Sequence, residues 1–394
     1  MRRLAANYVF PISSPPIKNG IVEVTDDGQI IKIIDPGAKF QEMRKVEFYN
    51  GVLVPGFINC HCHLELSALK GYVKPDSGLP RFVNTIRKKR HVLDEKTNND
   101  AIVSADREMK HNGIIVSADI SNTADSFDVK SKSEIQYYTF LEIFGIKRQD
   151  IRNQHRYARN LYEEMTKRYR LEGNLTPHAA YSVSTDLLNL IFRKPENKTP
   201  VYSFHYRECS PETEKKLKRK IKLRSFLTSL DFNVLFSNES KHREHVLSLF
   251  PENQNCLLVH NTYAGEEDID KAVKYLNHPY WVFCPNSNLS IENKLPDIEL
   301  FAKRNQVITI GTDSLASNNH LSILGELITL QKALPEILMD ELFKWATLNG
   351  AKALHVDDYA GSFEKGKKPG VNLVTNLDFS NWKLQESSKV KTIL

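Results

Sequence analysis

Cysteine is scarce in this 394-residue chain: five residues, none in a C-x-x-C pair. A scattered, odd set excludes a disulfide framework and a four-cysteine zinc module, and reads as reduced thiols of a cytoplasmic protein. No apolar run reaches the roughly 18–20 residues that span a bilayer, so no membrane partner is expected. The opening MRRLAANYVFPISSPP is basic and then apolar. Its apolar part is short, broken by Asn7 and Pro11, and continues as a strand, which speaks against a signal peptide. A Gly-rich phosphate loop is missing too, and with it the main support for a doubly wound open sheet.

A strong charge imbalance is also lacking: the formal net charge is +6. The densest basic run, EKKLKRKIKLRS (214–225), has Leu217, Ile221 and Phe226 at helical spacing and reads as a solvated helix face, as does RKKRH (87–91). Neither has aromatic platforms beside it, so no nucleic-acid partner is expected.

What is present is a large stock of strands and helices. With 41% hydrophobic and 26% charged residues the composition is that of a globular protein. Residues 1–55 carry short strand-like runs (IVEVTDD, QIIKIID, KVEFYNGVLVPGF) between Gly, Asp and Pro turns, and the C-terminus returns to that style in GSFEKGKKPGVNLVTNL. Between them, eight apolar runs alternate with longer charged segments: FINCHCH, GIIVSADIS, YYTFLEIFG, NLTPHAAYS, VYSFHYRE, CLLVHNTYA, YWVFCPNSN and VITIGTDS. Eight such units predict an α/β protein, a (β/α)8 TIM-type barrel over 56–355, with residues 1–55 and 356–394 pairing as a small composite β-sandwich domain.

Chemistry collects at the ends of these runs. His61 and His63 close the first, His178 the fourth, His205 the fifth with Glu208 just after it, His260 the sixth and Asp313 the eighth. In a barrel those ends converge on one face. Residues two apart on a strand face the same way. His61 and His63 can therefore grip one ion, while Cys60 and Cys62 are expected to point oppositely, into the layer between strands and helices. Any one of these residues has an ordinary alternative: a packed core histidine, or an aspartate capping a turn. Five of thirteen histidines at strand ends argue for a site.

The segments PGFINCHCHLELS, TPHAAYSVS, SFHYRE, LVHNTYA, CPNSNL and GTDSLASNN, in this order, resemble the motifs of the amidohydrolase superfamily, and within it the mononuclear-metal deaminase and chlorohydrolase branch. WATLNGAKAL and GSFEKGKKPG extend the likeness to about residue 375. The resemblance implies one divalent metal ion, Zn2+ first with Fe2+ or Mn2+ as alternatives, on His61, His63, His205 and Asp313. It implies that Glu208 shuttles protons, that His260 orients the attacking water, that Asp313 doubles as ligand and base, and that His178 contacts the substrate ring. The fourth run has no lysine, where binuclear relatives carry a bridging one. After His260 the chain reads NTYA, and near the C-terminus KPGVNLV, in place of the family's usual residues; neither departure removes a catalytic group.

The activity this implies is deamination of an adenine-type nucleoside by metal-hydroxide attack with release of ammonia. HLELS resembles members acting on aminodeoxyfutalosine, with S-adenosylhomocysteine and methylthioadenosine deaminases close in pattern. Residues 64–83 would form the lid; Glu65 could bond ribose hydroxyls, or simply cap a turn. Asn286, Ser287 and Asn288 are placed on the seventh strand, where Asn288 could meet a ring or ribose edge. The alternatives are hydrolysis of a cyclic amide, guanine or a triazine, or a non-catalytic binding protein on the same scaffold. No P-C-x-x-C segment is present for a nucleic-acid deaminase of the His/Cys/Cys type. A homo-oligomer is compatible with the resemblance.

Overall fold

A computed structural model describes residues 1–37, 45–90, 92–146, 148–193, 200–224 and 239–394. The two ends of the chain meet in one sheet. Arg2–Val9 (β1), Ile17–Lys18 (β2), Ile21–Val24 (β3), Ile30–Ile34 (β4) and Val46–Val54 (β5) join two later strands, Asn372–Thr375 and Lys389–Thr392, in a single seven-stranded arrangement. β5 is its pivot, parallel to β1 on one side and antiparallel to Asn372–Thr375 on the other.

The next strands are parallel. Phe57–Cys62 (β6), Ile114–Ser121 (β7), Gln136–Ile143 (β8) and Glu172–Pro177 (β9) make one four-stranded sheet. Val201–Tyr206 (β10), Asn255–His260 (β11), His278–Phe283 (β12) and Ile308–Ile310 (β13) make a second. β6, β10 and β11 are buried at every residue. That is why their sequences are near-continuous apolar runs: a parallel strand with helices on one side and a core on the other has no face for water. The two sheets touch at both edges. Ala179 bridges His205, whose N–H donates to the His178 carbonyl at 2.8 Å, and Cys62 bridges Asp313, whose N–H donates to the His61 carbonyl at 3.0 Å. The result is a mixed α/β fold of the TIM-barrel type, and both seams fall at the histidine and aspartate positions.

Alternate strand residues sort into two cores. Ile58, Val116, Phe140, Val201, Leu257 and Val282 pack together, whereas Phe57, Tyr202, Leu258 and Trp281 face helices such as Glu95–His111 and Glu266–Tyr275. β6 breaks this alternation. Asn59 pairs with Ser117 and Cys62 with Asp119, so one extra residue sits on β6. The bulge re-aims the strand end. Cys62 packs with Met109 and Phe127 in the helix layer as expected, but Cys60 joins Ile58 and Val282 in the other core. The uniform period-two reading therefore fails at Cys60.

A second difference lies after β12. The run CPNSN is not strand: Pro285–Glu292 is a helix, with its proline in the first turn. Proline suits that position because its missing N–H would be unpaired there anyway. Asn286, Ser287 and Asn288 are thus helical. The basic run 214–225 starts on helix Pro211–Arg224; its side chains beyond 217, with Ser225 and Phe226, lie outside the described residues. The RKKRH run ends the helix Leu79–Lys89, and its His91 is also outside them. No helix among the described residues is long and apolar enough to cross a membrane.

Candidate metal centre and its surroundings

His61, His63, His205, His260 and Asp313 come together at the ends of four strands. Ligand atoms of His61, His205 and His260 lie within 4.8 Å of one another, as do those of His61, His63 and Asp313. His61 sits at the centre, its ring 4.9 Å from that of His63, 5.0 Å from His205 and 5.5 Å from His260. It is fully buried, yet neither ring nitrogen has a hydrogen-bond partner among the described residues. Close approach here depends on Gly311: a Cβ there would stand 2.7 Å from His61 Cβ.

Backbone conformation aims the groups. His260 and Asp313 hold φ at 74° and 55°, and Arg207, just before Glu208, at 51°. Non-glycine residues seldom occupy this left-handed region, and at these three positions it takes the chain out of the regular strand alternation. Asp313 Oδ2 accepts from Ser287 Oγ at 2.6 Å and Ser317 Oγ at 2.8 Å. Oδ1 is left 3.8 Å from His61 Nε2 and 3.7 Å from His63 Nε2. Those gaps are too long for hydrogen bonds, but metal arms of roughly 2.0–2.2 Å can meet within them.

Each imidazole feels the pocket differently. Burial, with the neighbouring imidazoles, holds His61 well below its ordinary pKa, which keeps its lone pairs free. Burial also lowers His205, but the Glu142, Glu208 and Asp313 carboxylates outweigh it and push it up to about 9. Burial raises Asp313, and His63, His260 and the two serines reverse that to a net lowering. Burial thus keeps His61 and His260 neutral, with lone pairs free, while Asp313 is held ionised and carboxylates flank His205. A divalent cation satisfies both conditions, so the donor set fits a metal ion.

The remaining expected residues divide. Glu208 is buried, and its Oε1 accepts from the Tyr181 hydroxyl at 2.7 Å. His178 stacks on His205 with ring centroids 4.6 Å apart, its Nδ1 2.8 Å from Ser182 Oγ. Asn288 is buried against His260: Nδ2 donates to the His260 carbonyl at 3.1 Å, and Oδ1 lies 3.0 Å from His260 Nδ1. Glu65 is buried 25 residues from its partner Arg90 in sequence; its oxygens accept from Arg90 Nη2 at 2.5 Å and from Asn122 N and Thr123 N, each at 3.1 Å. The structure therefore places His178 and Glu208 beside the cluster and Glu65 at the loop junction of Arg90, Asn122 and Thr123.

Several groups around the site went unnoticed in the sequence. Glu142, at the end of β8, has Oε1 3.3 Å from His205 Nδ1; its only sequence signal was a carboxylate closing the apolar run YYTFLEI. Asp119 accepts from Leu64 N at 2.7 Å, directly after His63, and forms a wholly buried ion pair with Lys130. Nothing in the sequence pairs those two.

A histidine-rich cation site at the strand ends of a TIM-barrel-type fold defines a metal-dependent class of protein. Residues 52–392 match the amidohydrolase family, and the chain belongs to it. An adenosine deaminase of Helicobacter pylori is 25% identical over 362 residues, covering 89% of this chain and 86% of that enzyme. The crystal structure of Helicobacter pylori aminofutalosine deaminase in complex with methylthio-coformycin superposes with a TM-score of 0.77 at 23% identity, covering 97% of this chain and 94% of that one. A Xanthomonas campestris adenosine deaminase with bound zinc gives 0.70 at 20% identity, over 94% and 84% of the two chains.

Proposed function

We propose that this chain is a zinc-dependent aminohydrolase that replaces the exocyclic amine of an adenine-type nucleoside with oxygen from water and releases ammonia. The observation that carries the reading is Glu208, a buried carboxylate three residues after His205 whose Oε1 is held by the Tyr181 hydroxyl. Resemblance over most of the chain to an adenosine deaminase supports the choice of substrate class.

His61, His63, His205 and Asp313 would hold the metal, which when bound acidifies water and acts as a Lewis acid toward the ring. Glu208, oriented by Tyr181, takes a proton from the attacking water, delivers it to the ring nitrogen and assists departure of the amine. Asn288 Nδ2 is committed to a carbonyl, so Oδ1 faces His260 and that ring's Nδ1 must carry the proton. Nε2 of His260 is then left to orient the water beside His61 and His205. Asp313 serves as ligand and as base. His178 presents its ring edge to the substrate, while Glu65 and Asn288, first expected at the substrate, act as braces. In this reading the two parallel sheets are halves of a closed (β/α)8 barrel over 56–355, and the terminal strands curl as a sandwich from 1–55 and 356–394. The protein works in the cytoplasm.

The test is ammonia release by zinc-loaded protein against aminodeoxyfutalosine, S-adenosylhomocysteine, methylthioadenosine, adenosine, guanine and cytosine. Turnover of one adenine nucleoside well above the others is the expected result. Zinc-loaded protein silent across the panel would overturn nucleoside deamination and turn attention to cyclic amides and triazines.

A further inference from the structure

Glu65 and Glu142 belong to one chain of polar contacts that runs from the end of a surface helix to a ring of the metal cluster. Arg90, the residue that ends helix Leu79–Lys89, donates to Glu65 Oε1. Glu65 also takes the backbone N–H of Asn122 on both oxygens, at 3.1 Å each, and the Thr123 hydroxyl at 2.9 Å. Asn122, so fixed, turns its amide to Glu142: Nδ2 donates to Oε2 at 3.3 Å and to the Glu142 carbonyl at 3.2 Å. The other oxygen of Glu142 is 3.3 Å from His205 Nδ1. The Glu142 side chain is only 5% exposed, and Oε1 has no hydrogen-bond partner of full geometry among the described residues. A buried carboxylate oxygen left open beside one imidazole nitrogen is an expensive arrangement unless that nitrogen carries a proton.

We propose that Glu142 is the positioning residue of His205, with Asn122 and Glu65 holding it in place. Its carboxylate keeps the His205 proton on Nδ1 and leaves the Nε2 lone pair for the metal, the arrangement by which an outer carboxylate raises a ligand's basicity and fixes its ring. The proposal rests on the assignment of His205 as a metal ligand, and does not depend on which substrate is used.

Glu142→Gln is the direct test. Asn122 already donates toward one oxygen of the carboxylate, so the glutamine's carbonyl oxygen goes there and its NH2 faces His205 Nδ1. That ring must then accept at Nδ1 and protonate Nε2, the wrong tautomer for the cluster. Zinc affinity by chelator competition should fall about 10–100-fold, 15N NMR of the imidazoles should show the His205 tautomer shift, and Glu142→Asp should restore part of the affinity. Asn122→Ala, which leaves the carboxylate intact but unheld, should weaken zinc by about 10-fold and serves if the glutamine variant does not fold. Zinc binding within about 2-fold of the parent in every folded variant of this pair, with the tautomer unchanged, overturns the proposal. If the parent binds zinc but deaminates nothing in the panel, the aminohydrolase reading fails while the zinc measurement still decides this one.

Discussion

Asn288 and His260 exchange contacts at both ends of one side chain: the amide nitrogen donates to the His260 carbonyl at 3.1 Å and the amide oxygen meets His260 Nδ1 at 3.0 Å. The pair fixes both the backbone at a φ of 74° and the tautomer of the ring. We propose that Asn288, expected at the substrate, instead orients this neighbour. The two roles separate in kinetics. Asn288→Ala should lower kcat by about 10²-fold, within the range for a misplaced acid–base group, while KM changes little. A large rise in KM with kcat retained would return Asn288 to the substrate.

Metal binding and proton transfer should also come apart. His205→Ala is expected to lose the metal. Glu208→Gln should keep a full complement of metal and lose about 10²–10⁴-fold in turnover. Metal analysis beside the ammonia assay reads both, and a glutamine variant that retains most of its rate would remove Glu208 from proton transfer.

The Asp119–Lys130 pair carries a stability prediction. Both side chains are fully buried, and Lys130 Nζ also donates to Ser121 Oγ at 2.9 Å. Removing one partner strands the other charge in the core, at about 3–5 kcal/mol. Lys130→Met should therefore move the urea unfolding midpoint far more than the Asp119→Leu/Lys130→Met double variant does relative to it. The Leu64 N–H loses its acceptor in the double variant, so full recovery is not expected. A single variant as stable as the parent would show that the pair holds nothing.

Glu326 sets a pH dependence of folding. Burial drives its carboxyl up to about 8, against the pull of Asn286 and Asn318. With the folded value above the unfolded one, the native state holds the extra proton between the ordinary carboxyl value of about 4.5 and about 8. Stability supplied by that proton is complete below this window and is lost as pH rises through about 8, at up to about 1.4 kcal/mol per pH unit. Urea titrations from pH 5 to 9 should show the parent losing stability relative to Glu326→Gln as pH climbs. Parallel curves for the two proteins would mean that Glu326 is ionised throughout.

Much of this molecule was legible in one dimension. Eight apolar runs named the eight parallel strands because a strand covered on both faces must be apolar along its length. His61, His63, His178, His205, Glu208, His260 and Asp313 stood out because each follows such a run, and parallel strands put their C-terminal ends on one side. The bulge in β6 was not legible, since it is a mismatch between two strands and no single strand encodes it; hence Cys60 was misplaced. The helix at Pro285–Glu292 was hidden because CPNSN is as good a turn as a helix start.

The sequence by itself determined which residues could bind a metal and which stretches would be buried, since both follow from side-chain chemistry and local period. Tertiary structure decided the rest. It chose Glu142 for His205, Asn288 for His260, Ser287 and Ser317 for Asp313, and Arg90 with Asn122 for Glu65. These partners lie between 4 and 63 residues apart in the chain. Buried polar atoms must find partners wherever the packing brings them, and only the folded chain says where that is.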